Sequence, residues 1–164
     1  MTIVLRRVDE RLIHGQVVIG WGSQLHPTRY VIVDDDLAGS GWEQDLYRLA
    51  VSDGATVVFL TVLEARALLQ SMEDDSERTI LLTRDVGSMV RLARQGALAG
   101  RAVNLGGMHF GEGRTRVRSY LFLSEDDREG IRELAGGGAT VTARDLPDSA
   151  QVTLDDLIGA DSNG

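Results

Sequence analysis

A chain of 164 residues with 43% hydrophobic, 26% charged and only 5% aromatic side chains has the make-up of one globular domain with a mainly aliphatic core. Its net charge of −8 argues against nucleic acid or an anionic membrane surface as partner. With no cysteine and no lysine, disulfides, thiolate chemistry, cysteine-ligated metals and lysine-amine mechanisms are all excluded.

Short β-rich runs alternate with segments of helical period. The first strand is expected over residues 2–8 (TIVLRRV). GQVVIGWGSQL follows from Gly15, with Val17, Val18, Trp21 and Leu25 recurring as on a helix. Further strands are expected over 29–34, 56–61, 78–83, 101–106, 116–123 and 139–144. Several are continuous aliphatic runs, as in strands buried on both faces of a parallel sheet. Ser40 with Glu43 and Thr61 with Glu64 fit the capping box, and Ser124 with Asp127 and Thr153 with Asp156 are looser versions. Helical spacing then links Leu46, Leu49 and Ala50, then Leu63, Leu68, Leu69 and Met72, then Met89, Val90 and Ala93, and finally Ile131, Leu134 and Ala135. Trp21 reads as helix packing and Trp42 as a partly exposed cover. One connection breaks the rhythm. GGMHFGEGRT, between Leu105 and Arg116, is short for a helical crossover, so either the next strand pairs antiparallel or the loop is functional.

The expected fold is therefore a single α/β domain: a doubly wound, mostly parallel sheet of about seven strands, one of them antiparallel, with helices on both faces. Residues 1–160 read as the domain and 161–164 as a frayed tail. The N-terminus is charged too early for a signal peptide, and no run approaches the roughly 18 apolar residues of a membrane span. A soluble, cytoplasmic protein is expected, reaching any membrane only through partners.

In such sheets ligands bind beyond the carboxyl ends of the strands. That rule selects residues 9–15, 34–36, 83–85 and 106–114, and two loop histidines, His14 and His109. The bland reading of either is a histidine satisfied in a turn. His14 and Gly15, however, open a helix, where free amides and the dipole favour an anion. Arg11 adds a fixed charge suited to phosphate oxygens, and Asp9 is placed either to hold one ring nitrogen or to orient Arg11. The set describes a phosphoryl acceptor more naturally than a general base. Asp34, Asp35 and Asp36 invite a magnesium reading as in phospho-acceptor receivers. That site also needs a later strand-end aspartate and a lysine, both missing here, so solvated loop acids are the simpler reading. His14, His26 and His109 match no metal-ligand spacing, so no metal is expected. Gly106 and Gly107 either open a mobile surface loop or let backbone approach a phosphate or partner.

The stretch RRVDERLIHGQVVIGW closely resembles the signature of IIB subunits of mannose/fructose/sorbose-type sugar phosphotransferase systems, which typically reads Arg-(Ile/Val)-Asp-Asp-Arg-Leu-Ile-His-Gly-Gln-Val. The likeness continues in VIVDDDLA, VNLGGMHFGEGR and LSEDDREGIRELAGGGATVTARDLP, and so spans nearly the whole chain. It implies a protein phosphohistidine–sugar phosphotransferase, needing no metal or cofactor. His14 would take a phosphoryl group at Nδ1 from the histidine of a IIA subunit and pass it to a sugar carried by membrane subunits IIC and IID. Arg11 falls on the family's phosphate-binding arginine and Asp9 on the acid beside it, with the Gly15 and Gln16 amides joining Arg11 on the phosphoryl oxygens. Gly106, Gly107, Met108, His109, Arg114 and Asp35 would form the rim meeting the partners, around an open and shallow site. A homo-oligomer is compatible with the resemblance. Two departures stand out: Glu10 replaces the second aspartate of the signature, and Asp34 replaces a common asparagine. The rival reading is a non-catalytic regulatory module that binds a phosphorylated metabolite at the same helix start.

Overall fold

A computed structural model describes residues 2–51 and 54–159, so the expectation for residues 161–164 falls outside it. The aliphatic runs become β1 (Ile3–Val8), β2 (Arg29–Val33), β3 (Thr56–Leu60), β4 (Thr79–Thr83), β5 (Ala102–Leu105) and β8 (Thr140–Ala143). They form one six-stranded sheet in the order β3-β2-β4-β1-β5-β8, and every neighbouring pair is parallel.

Helices cover both faces because these strands are apolar on both sides. On one face lie α1, which begins as a π-helix (Gln16–Trp21) and ends as one α-helical turn (Gly22–Leu25), and α2 (Gly41–Leu49). Leu12, Ile13, Val17 and Trp21 pack there against Tyr30, Ile32, Ile80 and Leu82. The other face carries α3 (Val62–Asp74), α4 (Val86–Ala93), α5 (Glu125–Gly136) and α6 (Leu154–Ile158), and the larger cluster includes Leu69, Met89, Leu92, Ile131, Leu134 and Leu157.

Two of the four expected capping boxes form. The Thr61 and Ser124 hydroxyls accept the amides of Glu64 and Asp127, whose carboxylates accept the cap amides in return. Ser40 instead donates to the Glu43 carboxylate at 2.9 Å and Thr153 to that of Asp156 at 3.3 Å, leaving the helix amides uncapped by those side chains. The spacing also overstates two helical core faces, since Leu46, Leu49, Leu63 and Leu68 are exposed.

The single strand expected over 116–123 is a hairpin. β6 (Arg114–Arg118) and β7 (Leu121–Ser124) pair antiparallel, turning at Ser119 and Tyr120, and form a sheet of their own. β7 is stitched to the segment after β5 by Met108, whose amide donates to the Tyr120 carbonyl and whose carbonyl accepts from Phe122, both at 2.9 Å. The antiparallel element is therefore a separate pair, and residues 106–114 descend into it.

Candidate functional site

The ends of β4, β1 and β5 meet where β1 leaves towards one face of the sheet and β4 and β5 towards the other, the crevice at which ligands bind in open α/β sheets. Asp9 donates its amide to the Thr83 carbonyl at 2.9 Å and Glu10 to that of Gly107 at 3.0 Å, fixing the start of the β1 loop between its neighbours. A tight turn follows, closed by the Leu12 amide on the Asp9 carbonyl at 3.0 Å. Leu12 takes φ 56°, the left-handed region, which costs a non-glycine residue roughly 1–2 kcal/mol. Its side chain is fully buried, which offsets that strain by about 2 kcal/mol. The turn carries the chain back so that His14 lies over Asp9.

Asp9 is completely buried, with four groups converging on it. Arg7 approaches Oδ2 through Nη2 (3.0 Å) and Nε (3.3 Å), the Gly107 amide donates to Oδ2 (3.3 Å), and the Arg11 amide donates to Oδ1 (3.1 Å). His14 Nε2 stands 3.1 Å from Oδ2, off the line of a well-aligned hydrogen bond. Burial alone would raise the Asp9 pKa, but the His14 ring and the Arg7 charge outweigh it and the net shift is downward. Asp9 is therefore a fixed anion beneath the imidazole.

Arg7 is the residue that sequence reasoning missed. It is fully buried, contacts Asp9, and donates to the side-chain oxygen of Asn104, to the Arg144 carbonyl (2.8 Å) and to the Asp145 carbonyl (3.1 Å). Its guanidinium lies 5.3 Å from the Trp21 ring centroid. Burial lowers its pKa, and Asp9 opposes that shift. Gly106 is required here because a Cβ would overlap the Arg7 guanidinium.

Arg11 is exposed and its guanidinium donates to Gln16 Oε1 at 2.7 Å, while Gln16 Nε2 donates to Asp145 Oδ2 at 3.3 Å. Asp9 thus meets Arg11 through its backbone amide and the His14 ring through its carboxylate. The Gly15 and Gln16 amides donate to no protein group among the described residues, whereas the Val17 and Val18 amides both return to the His14 carbonyl. Both ring nitrogens of His14 are covered, and neither has a well-formed hydrogen bond among the described residues. The open, shallow presentation expected of the ring is thus not the resting arrangement.

The expected rim divides. His109 and Arg114 stand beside the β1 loop, tied to Glu10. Gly106, Gly107 and Met108 are buried, Met108 completely because it is paired with β7, so these three are packing residues rather than contact surface. Asp35 lies away from this cluster, accepting from the Val62 amide and from Arg91, both at 2.9 Å. Asp34 accepts the amides of Asp36 (3.0 Å) and Leu37 (2.9 Å), and its strand is separated from β1 by β4. Two strand spacings, about 10 Å, set it apart from the Asp9–His14 pair. Among the described residues, no three histidine or acidic side chains gather as a metal site. No helix among them is long and apolar enough to cross a membrane.

A family model described as "PTS system sorbose subfamily IIB component" matches residues 3–163. The chain is 29% identical over 158 residues to the mannose-specific EIIAB component of Escherichia coli (strain K12), covering 96% of this chain and 49% of that protein, so it spans about half of that relative's length. It is 31% identical over 144 residues to the sorbose-specific EIIB component of Lacticaseibacillus casei, covering 88% of this chain and 87% of the relative. Among solved structures, the IIBSor domain of the sorbose permease from Klebsiella pneumoniae superposes with a TM-score of 0.85 at 28% identity, covering 96% of each chain.

Proposed function

Because the chain belongs to the sorbose subfamily of phosphotransferase-system IIB components, we propose that it carries a phosphoryl group on His14 Nδ1, between the phosphohistidine of a IIA subunit and a sugar held by membrane subunits IIC and IID. One observation carries this reading: the carboxylate beside the ring, Asp9, stands nearest to Nε2, at 3.1 Å, and not to Nδ1. A carboxylate at Nε2 favours the tautomer with its proton there, which leaves the lone pair on Nδ1.

In the first step Nδ1 attacks phosphorus as the phosphorus–nitrogen bond to the donor imidazole breaks. In the second, the sugar oxygen bonds to phosphorus as the phosphorus–Nδ1 bond breaks; Nδ1 keeps the electron pair, the hydroxyl proton passes to water, and His14 is left neutral. Phosphoryl transfer of this kind passes through a loose transition state, so positioning and charge stabilisation do most of the work. Arg11, held among the described residues only by Gln16, turns from that side chain to the phosphoryl oxygens, joined by the Gly15 and Gln16 amides. The covered ring must first rotate outwards. Gly15 leaves that side open, since a Cβ there would meet nothing within 4 Å. The protein acts in the cytoplasm and is drawn to the membrane by its partners.

The test is incubation with phosphorylated IIA protein. An acid-labile, base-stable phosphohistidine that maps to His14 is expected, and His14→Ala removes the label from that position. Undiminished IIA-dependent labelling of that variant would refute the assignment.

A further inference from the structure

The site contains a second imidazole held by a second acid. His109 Nδ1 lies 2.9 Å from Glu10 Oε2, and the His109 amide donates to the same oxygen at 3.0 Å. Arg114 Nη1 donates to the other Glu10 oxygen and, at 2.9 Å, to the His109 carbonyl. The carboxylate beside Nδ1 favours the tautomer with its proton there, which leaves the Nε2 lone pair on a side chain that is 60% exposed.

His109, Glu10 and Arg114 share a cleft of about 430 Å³ with Arg84 and Asp85, the residues following β4. Asp85 is turned away to cap α4, accepting the Ser88 amide at 2.7 Å. Arg84 makes no hydrogen bond among the described residues. Its nearest acid is Asp34, 3.9 Å from Nε, and that Nε is buried without a partner. An imidazole, the acid beside it and a guanidinium whose one counter-ion among the described residues stands 3.9 Å away therefore line one space. These are the parts of a phosphoryl acceptor: a nucleophile, a carboxylate to balance the imidazolium that forms, and a cation for the transferred oxygens.

We propose that this cleft is a second phosphoryl-accepting site, with His109 Nε2 as nucleophile and Arg84 as the anion seat, an inference that rests on the phosphoryl-carrier reading of the chain. In the reaction Nε2 forms a bond to phosphorus as the donor's phosphorus–nitrogen bond breaks. The donor nitrogen keeps the electron pair, and the new cationic ring is balanced by Glu10. The two sites use opposite ring nitrogens, because Asp9 meets His14 at Nε2 and Glu10 meets His109 at Nδ1.

The probe is potassium phosphoramidate, a small donor with a phosphorus–nitrogen bond. His26 serves as an internal reference, being exposed with no carboxylate in contact among the described residues. In His14→Ala, phosphorus NMR and peptide mapping should find an Nε2-phosphohistidine at His109, formed at least about tenfold faster than at His26. Arg84→Gln and Glu10→Gln should each slow that labelling several-fold without changing the rate at His26. Labelling of His109 no faster than His26, or unaffected by both substitutions, overturns the proposal. The IIA-dependent labelling of His14 is read separately, so either site can fail alone.

Discussion

Replacing Arg7 by methionine tests the idea that the catalytic loop stands on a buried charge pair. The side chain is fully buried, and its loss would leave Asp9, equally buried, with only the His14 ring and the amides of Arg11 and Gly107. Removing one partner of a buried pair costs about 3–5 kcal/mol. For a chain of this size that corresponds to a melting-temperature drop of roughly 8–16 °C. The pH dependence carries more information. In the native protein the Asp9 pKa is lowered, so its stabilising contribution is complete above the unfolded carboxylate value of about 3.9 and is lost as pH falls through the lower folded value. In Arg7→Met, burial acts on Asp9 with its main counter-charge gone, and the folded pKa moves up. The deficit should then be largest at neutral pH and shrink on acidification towards about pH 4. Urea unfolding between these limits measures it, and Arg7→Met with Asp9→Asn should recover part of the loss. A deficit below about 1 kcal/mol, or one independent of pH, would show that Arg7 only fills space.

Arg11→Ala removes an exposed guanidinium bonded among the described residues only to Gln16, so stability should change by no more than about 0.5 kcal/mol while phosphoryl acceptance slows about 10²-fold; rapid-quench transfer from phosphorylated IIA protein and a thermal melt separate the two. Gly15 has ordinary helical dihedrals (φ −52°, ψ −42°) and open space at its Cβ position. Gly15→Ala should therefore stabilise the fold by about 0.4–1 kcal/mol and still slow acceptance by closing the side from which the donor comes; unchanged transfer kinetics would reject that approach path. Ser124→Ala breaks the α5 capping box and should cost about 1 kcal/mol in urea unfolding, with transfer untouched.

The parallel sheet was legible because continuous aliphatic strands have few alternatives to burial on both faces. The hairpin was not. RTRVR in β6 is largely exposed and lacks an apolar face, and the turn at Ser119 and Tyr120 carries none of the glycine, proline or asparagine that usually marks one. That same error made Met108 look like surface. Asp9, Arg11 and His14 were readable as a local motif, whereas Asn104, Asp145 and Arg84 reach the site only through the fold. Arg7 did leave a signal: two consecutive arginines inside a strand that must be buried on both sides. One of each such pair points to each face, and each needs a buried acid. Arg6 finds Glu73 at the end of α3, and Arg7 finds Asp9.

The same alternation explains how one short loop serves two histidines. Asp9 and Glu10 follow β1 directly, their amides bonded to the neighbouring segments on either side, so their side chains leave in different directions before the turn at Leu12. Asp9 turns into the protein, where Arg7 compensates its charge and His14 rests on it. Glu10 remains near the surface and gathers His109 and Arg114. The longer side chain matters at this position. An aspartate, one methylene shorter, would reach about 1.5 Å less far and could not keep both contacts without the loop moving in. Glu10→Asp should therefore loosen residues 109–114 and leave His14 seated on Asp9. Hydrogen exchange at the His109 amide would rise while IIA-dependent labelling of His14 persists. If exchange at His109 stayed slow, the loop would be held by its pairing with β7 alone, and Glu10 would have no part in placing the second imidazole.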